Sequence, residues 1–155
     1  MPMACATAWR YDRRGKADGS VHGTDEGRWR GELALVYERR AERTVLASRR
    51  HAGPLQMQKP LYPEDTQTCH GIVLHPPGGI VGGDELRIDV RVRSQAAALL
   101  TTPGATKWYR GRSLDVPARQ ALHLHVENGA SLEWLPQPSI VFDGAVGAAD
   151  TEVQV

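Results

Sequence analysis

The chain has 155 residues, of which 41% are hydrophobic and 24% charged, with 19 Lys and Arg against 18 Asp and Glu for a formal net charge of +1. That length suits one domain with a buried core, and the balanced charge supplies no field to draw the chain to nucleic acid or to an acidic membrane surface. Cys5 and Cys69 are too few and too far apart for a disulfide framework, which points to a reducing, cytoplasmic setting.

Residues 1–28 mix Gly, Asp, Arg and Lys without a period and read as a disordered tail. They lack the continuous apolar segment of a secretion signal, and no later run is long enough to span a membrane. From Gly31 the pattern changes. Leu33, Leu35 and Tyr37 alternate with Glu32, Ala34 and Val36, and "TVLASRR" returns after a charged turn, so the pair is expected to form an antiparallel hairpin. Next comes "CHGIVLH", an extended stretch containing Cys69, His70 and His75.

The segment "LHPPGGIVGGDEL", residues 74–86, places four glycines and two prolines between two strand-like runs. Gly78 and Gly83 have GxxxxG spacing, but Asp84 and Glu85 stand where a phosphate loop needs Lys and Ser/Thr. An alternating strand follows in place of a helix, so neither the cation nor the helix N-terminus needed to hold a phosphate is there. The stretch therefore reads as a turn. Asp84 can cap backbone N–H groups within it or offer an oxygen ligand to a divalent metal, and the excess of glycine calls for the close approach of another group.

"ELRIDVRVR" is the clearest strand, with Leu86, Ile88, Val90 and Val92 on one face and charged residues on the other. "TTPGATKWYR" combines hydroxyls with the run Lys107, Trp108, Tyr109 and Arg110, residue types that anchor protein interfaces. "ALHLHV" and "SLEWL" flank Asn128-Gly129 and are expected to pair as a second antiparallel hairpin. His123 and His125 share the polar face of the first of these strands. The final "TEVQV" alternates, leaving a strand edge that needs covering.

For metals, an extended Cys69–His75 segment puts Cys69 and His75 on one face but roughly 20 Å apart, at about 3.3 Å per residue, with His70 on the other face. His123 and His125 are only two ligands where three or four are usual. No GxSxG elbow is present, and Cys69 beside His70 is only a neighbour pair in sequence. Composition and period therefore describe a mainly β domain suited to binding or scaffolding.

Four stretches in order, "TVLASRRHAGPLQMQKPLYPE", "CHGIVLHPPGGIVGGDEL", "LLTTPGATKWYR" and "LEWLPQPSIVFDGA", together resemble the UreD (UreH) urease accessory protein family across residues 44–145. The resemblance implies strands wound helically into stacked sheets with few helices. It also implies a non-enzymatic factor that binds urease apoprotein with two partners, UreF and the GTPase UreG, for nickel insertion. Nickel would pass transiently through an internal tunnel, with no tightly bound cofactor, no nucleic acid and no membrane involved. Carried onto this chain, Asp84, Thr106 and Lys107 become tunnel or interface positions, as do the adjoining Trp108, Tyr109 and Arg110. Cys69, His70 and His75, with Asp84, become candidate nickel ligands. The match corresponds to the N-terminal part of family chains, so residues 29–155 are expected to be the first portion of a longer β domain. Two rival readings are a metal-dependent hydrolase using Asp84 with His70 or His75, and an inactive half-gene β interaction module.

Overall fold

A computed structural model describes residues 28–64, 67–111 and 116–155. Most of the expected tail, and Cys5 with it, lies outside the described residues. The first hairpin forms as its alternation requires: β1 (Arg30–Arg40) and β2 (Arg43–Ala52) pair antiparallel, with an irregularity in register between Val36 and Tyr37. Leu33, Leu35 and Tyr37 point into the core.

Beyond the hairpin the chain winds. After the two-residue β3 (Gln56–Met57), three successive coils run β4 (Thr68–Leu74), β5 (Ile80–Val81), β6 (Glu85–Val92), then β7 (Ala97–Thr101), β8 (Thr106–Tyr109), β9 (Ala118–Val126), and finally β10 (Ser131–Leu135), β11 (Ser139–Val141), β12 (Gly147–Gln154). Each coil contributes one strand to each of three sheets, ordered β12-β9-β6-β1-β2, β10-β7-β4-β3 and β11-β8-β5. No strand of a coil pairs with the next strand in sequence. Each instead lies parallel to its counterpart one coil away.

The expected mainly β, helically wound architecture is therefore present, and the described residues contain no helix. The expected antiparallel pairing holds only for β1 with β2 and β3 with β4. The hairpin expected across Asn128-Gly129 does not form, because β9 and β10 belong to different sheets. A two-residue type I′ hairpin turn needs positive φ at both central residues. Here Gly129 has φ 69°, whereas Asn128 is not among the positive-φ residues. The turn, closed by the Ala130 N–H donating to the Glu127 carbonyl (2.9 Å), is a corner carrying the chain from one sheet to the next. The turn one coil earlier is built alike, with Ala96 N–H donating to the Arg93 carbonyl, and Ser131 N–H then bonds the Ala96 carbonyl. Corner thus sits on corner.

Winding aligns side chains in rows. Ile88 lies beside Leu122 and Val90 beside Leu124 in the first sheet, and Cys69 lies beside Ala98 in the second. All six are buried, so alternation within each strand becomes one continuous core inside the coils. Thr44, fully buried, ties the hairpin to this stack by accepting the Ala97 N–H at 3.0 Å through its hydroxyl, a bond worth on the order of 1 kcal/mol.

Candidate functional site

The Gly-rich segment is more than one turn. Pro76 and Pro77 end β4, Gly78 turns the chain at φ 71°, the short β5 pairs with β8, and Gly83 at φ 93° makes the corner into β6. A side chain on Gly79 would collide with the Tyr109 ring. The excess of glycine thus answers to two left-handed corners and one aromatic ring lying against the backbone.

Asp84 closes this corner. Its side chain is 1% exposed, with Oδ1 accepting the Trp29 N–H and Oδ2 the Val81 N–H, each at 2.9 Å. The same residue's backbone accepts from Arg119 N–H at 2.8 Å. Asp84 therefore holds together the start of the hairpin, the corner and the next coil. Its carboxylate is turned to backbone donors, the capping role that the sequence allowed.

The four sequence-matched metal candidates are dispersed. Cys69 is buried in the core row of β4, where burial pushes its thiol above the usual range and keeps it protonated. His70 lies on the opposite face, its backbone bridged to Leu61. His75, just past the end of β4, lines a cavity inside the coils. Among the described residues no three His, Cys, Asp or Glu side chains come together as a metal site, so the convergence required by a metal-dependent hydrolase is missing from them. His123 and His125 face outward. The first lies 3.1 Å from Asp89 and 3.2 Å from Arg87, and the second shares a 2.9 Å hydrogen bond with Gln154.

The cavity, of about 210 Å³, is the feature that the winding creates. Apolar walls from Leu55, Val73, Leu86, Ile88 and Trp134 meet a set of neutral polar groups: His75, Thr102, Thr106, Gln120, Gln137 and Ser139. The Thr102 hydroxyl accepts the Gln137 N–H at 2.9 Å, joining the second coil to the third at the cavity wall. Nε2 of His75 is buried with no hydrogen-bond partner among the described residues. Burial also lowers the pKa of this imidazole, partly opposed by the negative charge of Asp84. His75 thus carries a ring that burial keeps neutral, its Nε2 itself shielded from solvent, and hydroxyl and amide groups line the same cavity. Such groups hold a divalent cation weakly and exchangeably, where thiolates or clustered carboxylates would retain it.

Residues 106–110, which sequence treated as one patch, are divided by strand alternation. Thr106 lines the cavity and Trp108 is buried in the core, while Lys107, Tyr109 and Arg110 lie on the outside. Tyr109 stacks on Phe142 with centroids 4.9 Å apart. The sequence reading overlooked Gln120, Gln137, Thr102 and Ser139. For Gln120 a signal existed, since it occupies the inward position two residues before Leu122, where the alternation of β9 calls for an apolar side chain.

Acidification tests the state of His75. Its folded-state pKa lies below the ordinary value of 6.5, so the unfolded chain takes up the proton first as pH falls. Stability should therefore decline below about pH 6.5 and level off once the folded form also protonates. Urea midpoints between pH 7.5 and 5 are expected to fall less for His75→Gln than for wild type. Parallel curves would mean that His75 is freely solvated.

No helix among the described residues is long and apolar enough to cross a membrane. A family model described as UreD urease accessory protein matches residues 29–155. A urease accessory protein UreD from Azoarcus sp. (strain BH72) is 55% identical over 138 residues, covering 88% of this chain and 47% of the relative. The protein of that name from Pseudomonas aeruginosa is 53% identical over 127 residues, 82% of this chain and 44% of its own length. That from Cupriavidus metallidurans is also 53% identical over 127 residues, 82% and 42%. The chain thus spans a little under half the length of these curated relatives.

Proposed function

Because the chain belongs to the UreD urease accessory protein family, we propose that it acts in urease maturation as a non-catalytic scaffold, binding urease apoprotein together with UreF and UreG while nickel is inserted. The observation that carries this reading is the match across residues 29–155, the same span that forms the wound β fold. GTP hydrolysis falls to UreG, in keeping with a Gly-rich loop here that leads into strand β6 and carries Asp84 and Glu85 where a phosphate loop has Lys and Ser/Thr. The setting is the cytoplasm.

Nickel is cargo in this scheme. The route we propose runs through the interior of the coils past His75, Thr106 and Gln120, whose neutral donors favour passage over capture. Cys69 lies off it, since a protonated thiol packed in the core offers no ligand. The outward Lys107, Tyr109 and Arg110 are available for protein contact, Tyr and Arg being common anchors of interfaces.

Co-expression with tagged urease apoprotein tests the reading. Near-stoichiometric retention of the 155-residue chain through a high-salt wash is the expected result, with the full-length Azoarcus relative as the positive control. Retention of the control alone would locate the urease-binding surface outside this chain and overturn the proposal for it.

A further inference from the structure

Strand alternation gives each sheet an outward face, and two of these faces differ sharply. The five-stranded sheet turns charges outward and closes many of them on its own neighbours: Arg87 with Asp89, Arg91 with Glu127 and Arg93 with Glu38. The three-stranded sheet turns apolar side chains outward. Val81, Tyr109, Ile140 and Phe142 are 37%, 39%, 43% and 44% exposed. Val81 is the register partner of Tyr109, and Ile140 that of Lys107. Just past β11, Phe142 extends the pairing by donating its N–H to the Trp108 carbonyl at 3.0 Å. Side chains from three successive coils therefore share one outward face, and an apolar group of this kind left exposed marks a contact surface.

The face is held in shape before anything binds. The Tyr109 ring lies against the Gly79 backbone, where a Cβ would collide with it, and stacks on Phe142 at 4.9 Å with an interplanar angle of 8°. An aromatic fixed in this way has little freedom left to lose on binding. Charge then selects the occupant. Three cations border the stack: Arg28 against the Gly83 corner, Lys107 beside Ile140, and Arg110, whose stem lies over Gly144. Asp143, at the corner after Phe142, adds one carboxylate. None of these four is in an ion pair among the described residues, so the rim keeps an excess of uncommitted positive charge around an apolar centre. We propose that this face docks an acidic segment of a protein partner. An apolar side chain of that segment lies on the Tyr109–Phe142 stack, and flanking Asp or Glu residues reach Lys107 and Arg110. The aliphatic Val81 and Ile140 and the net charge of +1 favour a protein over a nucleic-acid strand. The inference rests on the reading of Lys107, Tyr109 and Arg110 as a protein contact, and adds the chemistry of what they meet.

Titration of short fluorescent peptides with the 155-residue chain, read by anisotropy, tests this. One designed set carries Asp and Glu around Leu or Phe, a second replaces the apolar residues by Ser, a third replaces the acids by Lys, and a single-stranded oligonucleotide completes the series. The first set is expected to bind at least tenfold tighter than the others, and more weakly as salt is raised. Lys107→Glu should weaken its binding about fivefold or more, and Tyr109→Ala about tenfold. Arg50→Glu, the same charge reversal on β2, should bind as wild type does. All three side chains are exposed, so the variants keep the fold, which their melting temperatures verify. Absence of binding by the first set, equal binding of the Lys or Ser set, tighter binding of the oligonucleotide, or wild-type binding by both Lys107→Glu and Tyr109→Ala would each overturn the proposal. So would self-association of the chain that Tyr109→Ala abolishes, since a second copy would then be the occupant. The peptides contain no urease sequence, so a failed urease pull-down counts against the urease reading and a failed titration against this surface.

Discussion

Asp84→Ala is expected to lower stability by about 3 kcal/mol, since hydrogen bonds to a charged group contribute about 1.5–3 kcal/mol each and two are lost together. Trp29 N–H and Val81 N–H donate to opposite oxygens of this buried carboxylate, and alanine leaves both without an acceptor. One donor leads into β1 and the other lies in β5, so the loss also removes one of the bonds between the start of β1 and the first coil, leaving that from the Glu85 N–H to the Trp29 carbonyl at 2.8 Å. Asp84→Asn should recover only part of the difference, because its amide presents one acceptor and one donor where two acceptors are required. Urea unfolding of the three proteins decides the matter. A loss below roughly 1 kcal/mol for Asp84→Ala, the level of an ordinary exposed site, would show that the carboxylate does not hold the corner, and would return Asp84 to the set of nickel ligands.

The second large effect is expected at Tyr37. This side chain is fully buried and reaches from the first sheet toward the second, where its hydroxyl lies 3.6 Å from the Met57 sulfur. Burial holds the phenol protonated well beyond the usual range of tyrosine. Tyr37→Ala removes a ring from the centre of a packed core and should cost about 3–5 kcal/mol, as other large aromatic truncations do.

Space for that ring comes from Gly71 on β4. A methyl group there would approach the Tyr37 hydroxyl at 2.8 Å, the Leu100 Cδ2 at 2.6 Å and the Met57 Cε at 2.5 Å. Gly71→Ala is accordingly expected to cost about 1–3 kcal/mol by overpacking. Its cost should be smaller in a Tyr37→Phe background, where the hydroxyl contact is gone, and a double-mutant cycle measures the difference. Strict additivity would show that Tyr37 and Gly71 do not share the contact.

Much of the local structure was legible in the sequence. Alternation identified the inward faces of β1, β6 and β9, and Pro76-Pro77 marked the end of β4, because period-2 patterning and proline chemistry act over a few residues. Strand partnership was not legible in the same way. "ALHLHV" and "SLEWL" carry identical local signals whether they fold back as a hairpin or step to another sheet. The choice rests on the φ of Asn128 and on Ser131 bonding to Ala96 one coil earlier, a contact that no short window contains.

The candidate site divides along the same boundary. Sequence alone determined a mainly β domain, the failure of the phosphate-loop reading, and, through four long motifs, a resemblance to a family whose model matches residues 29–155. Only the tertiary structure decided that Thr106 and Trp108 turn inward while Lys107 and Tyr109 turn out, and that Cys69 and His75 have different surroundings. It alone brought Thr102, Gln120, Gln137 and Ser139 to the walls of one cavity with His75. The reason is physical. Residue type and spacing set what each strand can bury, but a cavity between coils is made by segments far apart in the chain, and its lining is settled by register across sheets.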